Sequence, residues 1–204
     1  MKINKKKFIY LISPNKIKKN FYNELKLVLK TNKVSFFQMR LKKSSLHQKI
    51  LIGKKIKKIC KSRGVKFIIN DDPWLASKLN ADGCHLGQKD MKINEASKII
   101  GNKIIGVTCH NSLKLAKKAL KNNPSYLAFG AFFSSGTKKV RFLANTKILI
   151  EAKKLTNIPI VAIGGINSFN YKNLLLNNAD FLAISGYIWN NKKYKPSDAI
   201  KKLI

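Results

Sequence analysis

The sequence is short of carboxylates. Nine Asp and Glu stand against 42 Lys and Arg, and the formal net charge is +33. Arginine is scarce as well: only Arg40, Arg63 and Arg141 belong to those 42. Proteins that read base edges lean on arginine, whose planar fork grips guanine or phosphate in two places. Here the lysines fall in small scattered groups without interleaved aromatics. That argues for a solvated surface and against a dedicated groove reader, although such a surface still attracts anions weakly. Lys, Asn and Ile are abundant together, which reads as a bias towards AT-rich codons.

Three cysteines, Cys60, Cys84 and Cys109, form no CxxC pair. An odd, sparse set argues against a disulfide framework, no zinc spacing stands out, and three small buried thiols in a reducing compartment are expected. No apolar run approaches the ~18 residues needed to cross a bilayer. The start, MKINKKKFIYLISP, is basic and then apolar, but the apolar run ends at Ser13-Pro14 without a small-residue cleavage site. It reads as a first buried strand and not as a leader. No linker rich in Pro, Gly or Ser divides the chain, so residues 1–204 are expected to form one domain. The first strand ends in SPN, with no glycine-rich fingerprint, which disfavours a doubly wound open sheet.

What is present is an alternation. Short, largely apolar runs occur at 8–13, 34–39, 65–70, 83–87, 103–109, 126–132, 158–164 and 181–185. They suit strands buried on both faces. Between them lie helical periods, such as Ile52, Ile56, Ile59 and Cys60, or Ile148, Ala152 and Leu155. Asn-Ser at 111–112, Asn-Ser at 167–168 and Pro-Ser at 196–197 are expected helix starts. Eight such alternations predict an α/β fold of one compact domain, a (β/α)8 TIM barrel.

In a barrel, chemistry sits at the C-terminal ends of the strands. The unusual polar stretches fall there: QMRLK, NDD, HLGQKD, TCHN, SSGTKK, GGIN and ISG. Four of the nine carboxylates lie between Asn70 and Asp90. Asp72 precedes Pro73 and reads as a helix N-cap. Asp82, in NADGC, reads as turn chemistry. Asp71 and Asp90 remain, on adjacent loops at one mouth. They suit a hard divalent ion shared with a substrate phosphate, or two capping or ion-paired surface aspartates. Arg40 and Lys42 project at the same mouth and suit an anion. Gly164-Gly165 and Ser185-Gly186 follow strands seven and eight, the usual phosphate cradle of barrels. His85, inside an apolar run, reads as a satisfied core histidine, and His110 as a more open one.

Taken together, QMRLK, FIINDDPWLA, ADGCHLGQKD, IIGVTCHN, FGAFFSSGTKK, IPIVAIGGIN and LAISG resemble, in this order, the thiamine phosphate synthase family. The resemblance runs from about residue 8 to 189 and implies a transferase of thiamine biosynthesis. It would join hydroxymethylpyrimidine diphosphate to thiazole phosphate by a dissociative substitution. The resemblance makes Asp71 and Asp90 magnesium ligands, with Mg2+ the cofactor. It makes Gln38, Arg40, Lys42, Asn70, Thr108 and Lys138 the pyrimidine diphosphate site, with Arg40, Lys42 and Lys138 catalytic. Ser135, Gly136, Thr137, Gly165, Ile184 and Ser185 match the thiazole phosphate site.

The sequence also departs from the family pattern. Leu41 stands where an acidic residue is common, Thr108 replaces a usual serine, and Ser135 replaces a usual threonine and lacks the preceding proline. Thiazole tautomerase relatives share this fold and thiazole pocket but have no need of a complete metal and diphosphate site. A basic polyanion-binding protein is the reading from a different class. The expected partners are small phosphorylated substrates, with no specific nucleic acid and no membrane, in the cytoplasm. The sequence leaves homo-oligomer formation open.

Overall fold

The computed structural model describes residues 7–134 and 143–203. Eight parallel strands close into a barrel in chain order, β1 through β8, with β8 pairing back to β1. The strands are β1 (Ile9–Ile12), β2 (Val34–Met39), β3 (Lys66–Asn70), β4 (Gly83–Leu86), β5 (Ile104–His110), β6 (Tyr126–Gly130), β7 (Ile160–Ile163) and β8 (Phe181–Ile184). Each falls inside or within a residue of an apolar run anticipated from the sequence. The helices are α1 (Phe21–Lys30), α2 (Leu46–Lys61), α3 (Pro73–Lys78), α4 (Ile93–Ile100), α5 (Leu113–Leu120), α6 (Lys147–Leu155) and α7 (Tyr171–Leu176). Two further helices, α8 (Gly186–Trp189) and α9 (Pro196–Lys201), follow β8. The sequence pattern foresaw only the last of these two.

Strand alternation sorts the apolar residues into two sets. Ile9, Leu11, Phe37, Phe67, Ile69, Cys84, Leu127 and Leu182 face outward and are buried beneath the helices. Tyr10, Ile12, Ile68, Tyr126, Ala128, Val161 and Ala183 face inward and fill the barrel. A period of two in a closed sheet produces this division. The three cysteines are free and buried among the outward-facing set. Among the described residues, no helix is long and apolar enough to cross a membrane.

Polar side chains close the lower end of the barrel, where the strands begin. Asp82 accepts from the Phe67 N–H at 2.9 Å, Ser125 from Ile105 at 3.0 Å and Asp180 from Ile160 at 2.8 Å. Each residue entering a strand thus satisfies a backbone donor on the strand before it. Two of the nine carboxylates are spent this way.

Local capping signals account for three helix starts. Ser45 and Gln48 form a capping box at α2. Asp72 accepts from the Leu75 N–H at 2.9 Å, with Pro73 opening α3. Ser112 caps α5 through the Leu115 N–H. Asn167-Ser168 does not start α7. The Asn167 carboxamide oxygen accepts from the Phe169 N–H at 2.8 Å, making a turn that delays the helix to Tyr171.

Packing inside the barrel demands glycine at position 106. A Cβ on Gly106 would lie 1.8 Å from the Tyr126 ring, so the missing side chain makes room for that ring inside the barrel. Gly106→Ala should therefore overpack the interior and lower stability by roughly 1–3 kcal/mol. Urea unfolding checks this, and a variant as stable as the parent would refute it.

Candidate active site

The upper mouth gathers three groups of side chains. The first is charged and lies on the loops after β2, β3 and β4. The Lys42 ammonium is 3.1 Å from an Asp71 carboxylate oxygen. Asp71 itself sits in the left-handed region, at φ 64°, and its N–H donates to the His85 carbonyl at 2.8 Å. That bond ties the loop after β3 to β4 and aims the carboxylate at its neighbour. Asp90 accepts from the Gly87 N–H at 2.7 Å. A Cβ on Gly87 would stand 2.8 Å from the same oxygen, so glycine permits the close approach.

Asp71 and Asp90 are close enough to interact. Burial holds the Asp90 pKa above the ordinary carboxylate value, and the hydrogen bond and charge of Asp71 push it further in that direction. The Gly87 N–H and the Lys42 charge act the opposite way. Among the described residues, the exposed Lys42 is the cation set against these two crowded carboxylates, and they form a hard-oxygen pair. Magnesium takes one or two protein carboxylates and completes its shell with water and phosphate oxygens, so the pair fits it. Among the described residues, no group of three or more His, Cys, Asp or Glu comes together as a fuller metal site. The Lys42–Asp71 ion pair is largely exposed, and such pairs contribute about 0–1 kcal/mol, so Lys42 can exchange it for an anion at little cost.

Arg40 stands beside this group. Its guanidinium donates to the Asn15 side chain at 3.3 Å, and its N–H donates to the Ser13 hydroxyl at 2.9 Å. The SPN stretch, informative in the sequence only for its lack of glycine, thus braces the arginine. An open cavity of about 510 Å3 adjoins Lys42, Asn70 and Asp71, with Trp74 and Met91 on its wall.

The second group is neutral and buried. Gln38 on β2 donates to the Tyr10 hydroxyl at 3.1 Å. The Tyr10 and Tyr126 hydroxyls are 2.7 Å apart. Tyr126 meets His85 Nδ1 at 2.8 Å, and His85 Nε2 meets the Thr108 hydroxyl at 2.8 Å. His85 is the satisfied core histidine expected from its apolar run. Burial lowers its pKa to about 4, with the Asp71 charge opposing, so the ring is neutral at pH 7. Burial raises both tyrosine pKa values, so both phenols keep their protons. The tyrosines were invisible as site residues because each lies within an apolar strand. Gln88 also went unremarked, yet its amide donates to the Thr108 carbonyl. His110 is exposed, at φ 52°.

The third group follows β7 and β8. Gly164 and Gly165 have φ of 107° and 62°. A Cβ on Gly165 would come within 2.5 Å of the Ser134 carbonyl, so this loop must be glycine to pack beneath the one after β6. The Ser185 hydroxyl donates to the Ser13 carbonyl at 3.1 Å. The Ile184 side chain is buried on the helix-facing side, so only its backbone is available to a ligand at the mouth. Ser135, Gly136, Thr137 and Lys138 lie outside the described residues.

Residues 9–188 match the family model for thiamine monophosphate synthase. The thiamine-phosphate synthase of Pelagibacter ubique (strain HTCC1062) is 66% identical over all of this chain and all of its own. That of Erythrobacter litoralis (strain HTCC2594) is 41% identical, covering 89% of this chain and 87% of its own. Among solved structures, the thiamine phosphate pyrophosphorylase of Pyrococcus furiosus superposes with a TM-score of 0.85 at 27% identity. It covers 97% of this chain and 94% of its own.

The raised Asp90 pKa has a consequence for stability. The folded chain holds that proton more tightly than the unfolded one. The associated stabilisation is present below the unfolded pKa and is lost as pH rises through the folded value. Asp90→Asn keeps the acceptor for Gly87 and removes the charge. Without added metal it should therefore unfold at higher temperature than the parent at pH 7. The difference should vanish at low pH. Equal melting temperatures across the pH range would contradict the carboxylate crowding.

Proposed function

The chain belongs to the thiamine monophosphate synthase family, and from that premise we propose how its mouth residues divide the work of a thiamine phosphate synthase. The enzyme is a transferase. Hydroxymethylpyrimidine diphosphate loses its diphosphate as the bond from the methylene carbon to oxygen breaks. The thiazole nitrogen then bonds to that carbon, giving thiamine phosphate and pyrophosphate. The pyrimidine ring stabilises the cationic carbon, so no general base is required. Charge builds on the leaving oxygens, and the groups facing them supply the acceleration.

Arg40 and Lys42, with Lys138 assigned by family correspondence, hold those oxygens and are the catalytic residues. Bound by Asp71 and Asp90, Mg2+ would neutralise the developing leaving-group charge as a Lewis acid. Gln38, Asn70 and Thr108 hold the pyrimidine. Ser135, Gly136, Thr137, Gly165, Ser185 and the backbone of Ile184 hold the thiazole phosphate. The +33 net charge draws both anionic substrates towards the barrel. Soluble phosphorylated substrates and three free thiols support a cytoplasmic setting.

The observation that carries this reading is the meeting of Lys42, Asp71 and Asp90 from adjacent loops at one mouth, with Arg40 on the same loop as Lys42. A thiazole tautomerase would have no use for that cationic and acidic corner.

The test is product formation from the two half-substrates with magnesium, read as thiamine phosphate after oxidation to its fluorescent form. Product should disappear with EDTA and in Asp90→Ala. Arg40→Ala should lower kcat/KM roughly 10²–10³-fold, the scale for losing one charge-stabilising donor. Unchanged turnover in Asp90→Ala would remove the aspartates from the metal site. Folded protein with no product would favour the tautomerase.

A further inference from the structure

The buried chain Gln38–Tyr10–Tyr126–His85–Thr108 links five strands, and its two ends are the residues assigned above to the pyrimidine. The side chains of its three middle members bond only along this chain, and the mechanism does not use them. Their arrangement nevertheless constrains what the two ends can offer.

With Gln38 as the amide donor, the need of every buried hydroxyl hydrogen for an acceptor sets the direction of the rest. Gln38 donates an amide N–H to the Tyr10 oxygen. The Tyr10 hydrogen then points to Tyr126, and the Tyr126 hydrogen to His85 Nδ1. A neutral imidazole accepting at Nδ1 carries its proton on Nε2 and donates from there to Thr108. The Thr108 hydroxyl, its oxygen already accepting, has its own hydrogen left for a ligand. At the far end, Gln38 has spent one of its two N–H groups on Tyr10, which fixes the amide and sets its carbonyl oxygen in place for a ligand. Gly106 makes this possible, because any side chain there would collide with the Tyr126 ring that bridges the middle.

We propose that His85, backed by Tyr126 and Tyr10, is a positioning residue that fixes the hydrogen-bond polarity of the pyrimidine site, leaving Thr108 a donor and Gln38 an acceptor. The site then complements a ring with one acceptor nitrogen and one amino donor, and opposes a ring with those groups exchanged. The proposal rests on the synthase reading for the identity of the ligand. The polarity itself is a property of the free protein and is tested separately.

The first readout is the tautomer of His85 by 15N NMR of the free chain. His47 and His110 are exposed and His85 is buried, so the solvent-protected ring resonances belong to His85. The proton should sit on Nε2. A proton on Nδ1, or an imidazolium, would reverse or abolish the polarity and overturn the proposal.

The second readout is calorimetric binding of hydroxymethylpyrimidine diphosphate and of inorganic pyrophosphate. Tyr126→Phe keeps the ring and removes the link. It should mix the His85 tautomers and weaken the pyrimidine diphosphate about tenfold, the scale of one hydrogen bond, while leaving pyrophosphate unchanged. Tyr10→Phe, should Tyr126→Phe fold poorly, frees only the Gln38 end and should give a smaller loss of the same kind. Equal loss for both ligands, or a lowered melting temperature with tautomer and affinities unchanged, would show a purely structural role and overturn the proposal. If the parent chain binds neither ligand, the synthase reading falls while the tautomer still decides the polarity.

Discussion

Closing eight strands into a ring turns every second residue inward, and the space inside will not hold a large side chain from each strand. That limit governs the rest of this molecule. Where Tyr126 crosses the interior, β5 must supply Gly106. Where Tyr10 and Tyr126 meet, their hydroxyls are buried, so each must find a partner inside the barrel. The partners available are the next inward positions up the strands, Gln38 and His85. The interior is therefore apolar at its foot, where Phe36, Ile104 and Phe181 pack, and polar towards the mouth. A purely apolar plug would satisfy the packing but would end in a featureless floor beneath the ligand.

The mouth sets a different problem. A chain with so much positive charge attracts anions but has few carboxylates with which to organise a metal beside them. Its few carboxylates are divided accordingly. Asp82 and Asp180 close the lower rim through backbone donors, and Asp72 starts a helix. Asp71 and Asp90 alone are set against each other, where neither packing nor capping calls for both. Placing like charges together costs stability unless something cationic is shared between them. That cost, borne in the free protein, is the physical mark of a site built for a ligand.

Most of the architecture was legible because the two periods that define it are local. Every strand could be read from an apolar run, and the caps Asp72 and Ser112 from residue type and position. The delayed start of α7 could not, because Asn167 can cap a helix or tighten a turn, and only the fold decides. The charged corner was legible in outline, since Arg40, Lys42, Asp71 and Asp90 are unusual residues at strand ends. The neutral chain was not. Tyr10 and Tyr126 are 116 residues apart and sit in stretches that any reading scores as core. No local pattern distinguishes a tyrosine whose hydroxyl is merely satisfied from one whose hydroxyl passes a direction along. Ile184 shows the converse. Its motif pointed to the site, while strand alternation turns its side chain away.

The two halves of the site make opposite demands on their surroundings. Stabilising a departing diphosphate requires strong charges that need only be near, which is why long, exposed side chains such as Lys42 suffice on mobile-length stems. Recognising a neutral ring requires weak groups whose donor and acceptor identities do not change, because a hydroxyl free to rotate accepts either partner. Rigidity is therefore needed where the energies are small. On the proposed assignment, the barrel supplies it by placing Gln38 and Thr108 on strands and joining them through a buried chain of hydrogen bonds, while Lys42, Asp71 and Asp90 ride on the loops. A dissociative reaction suits this division. The ring must be held still as its bond to the leaving group lengthens, and the leaving group must be free to move away.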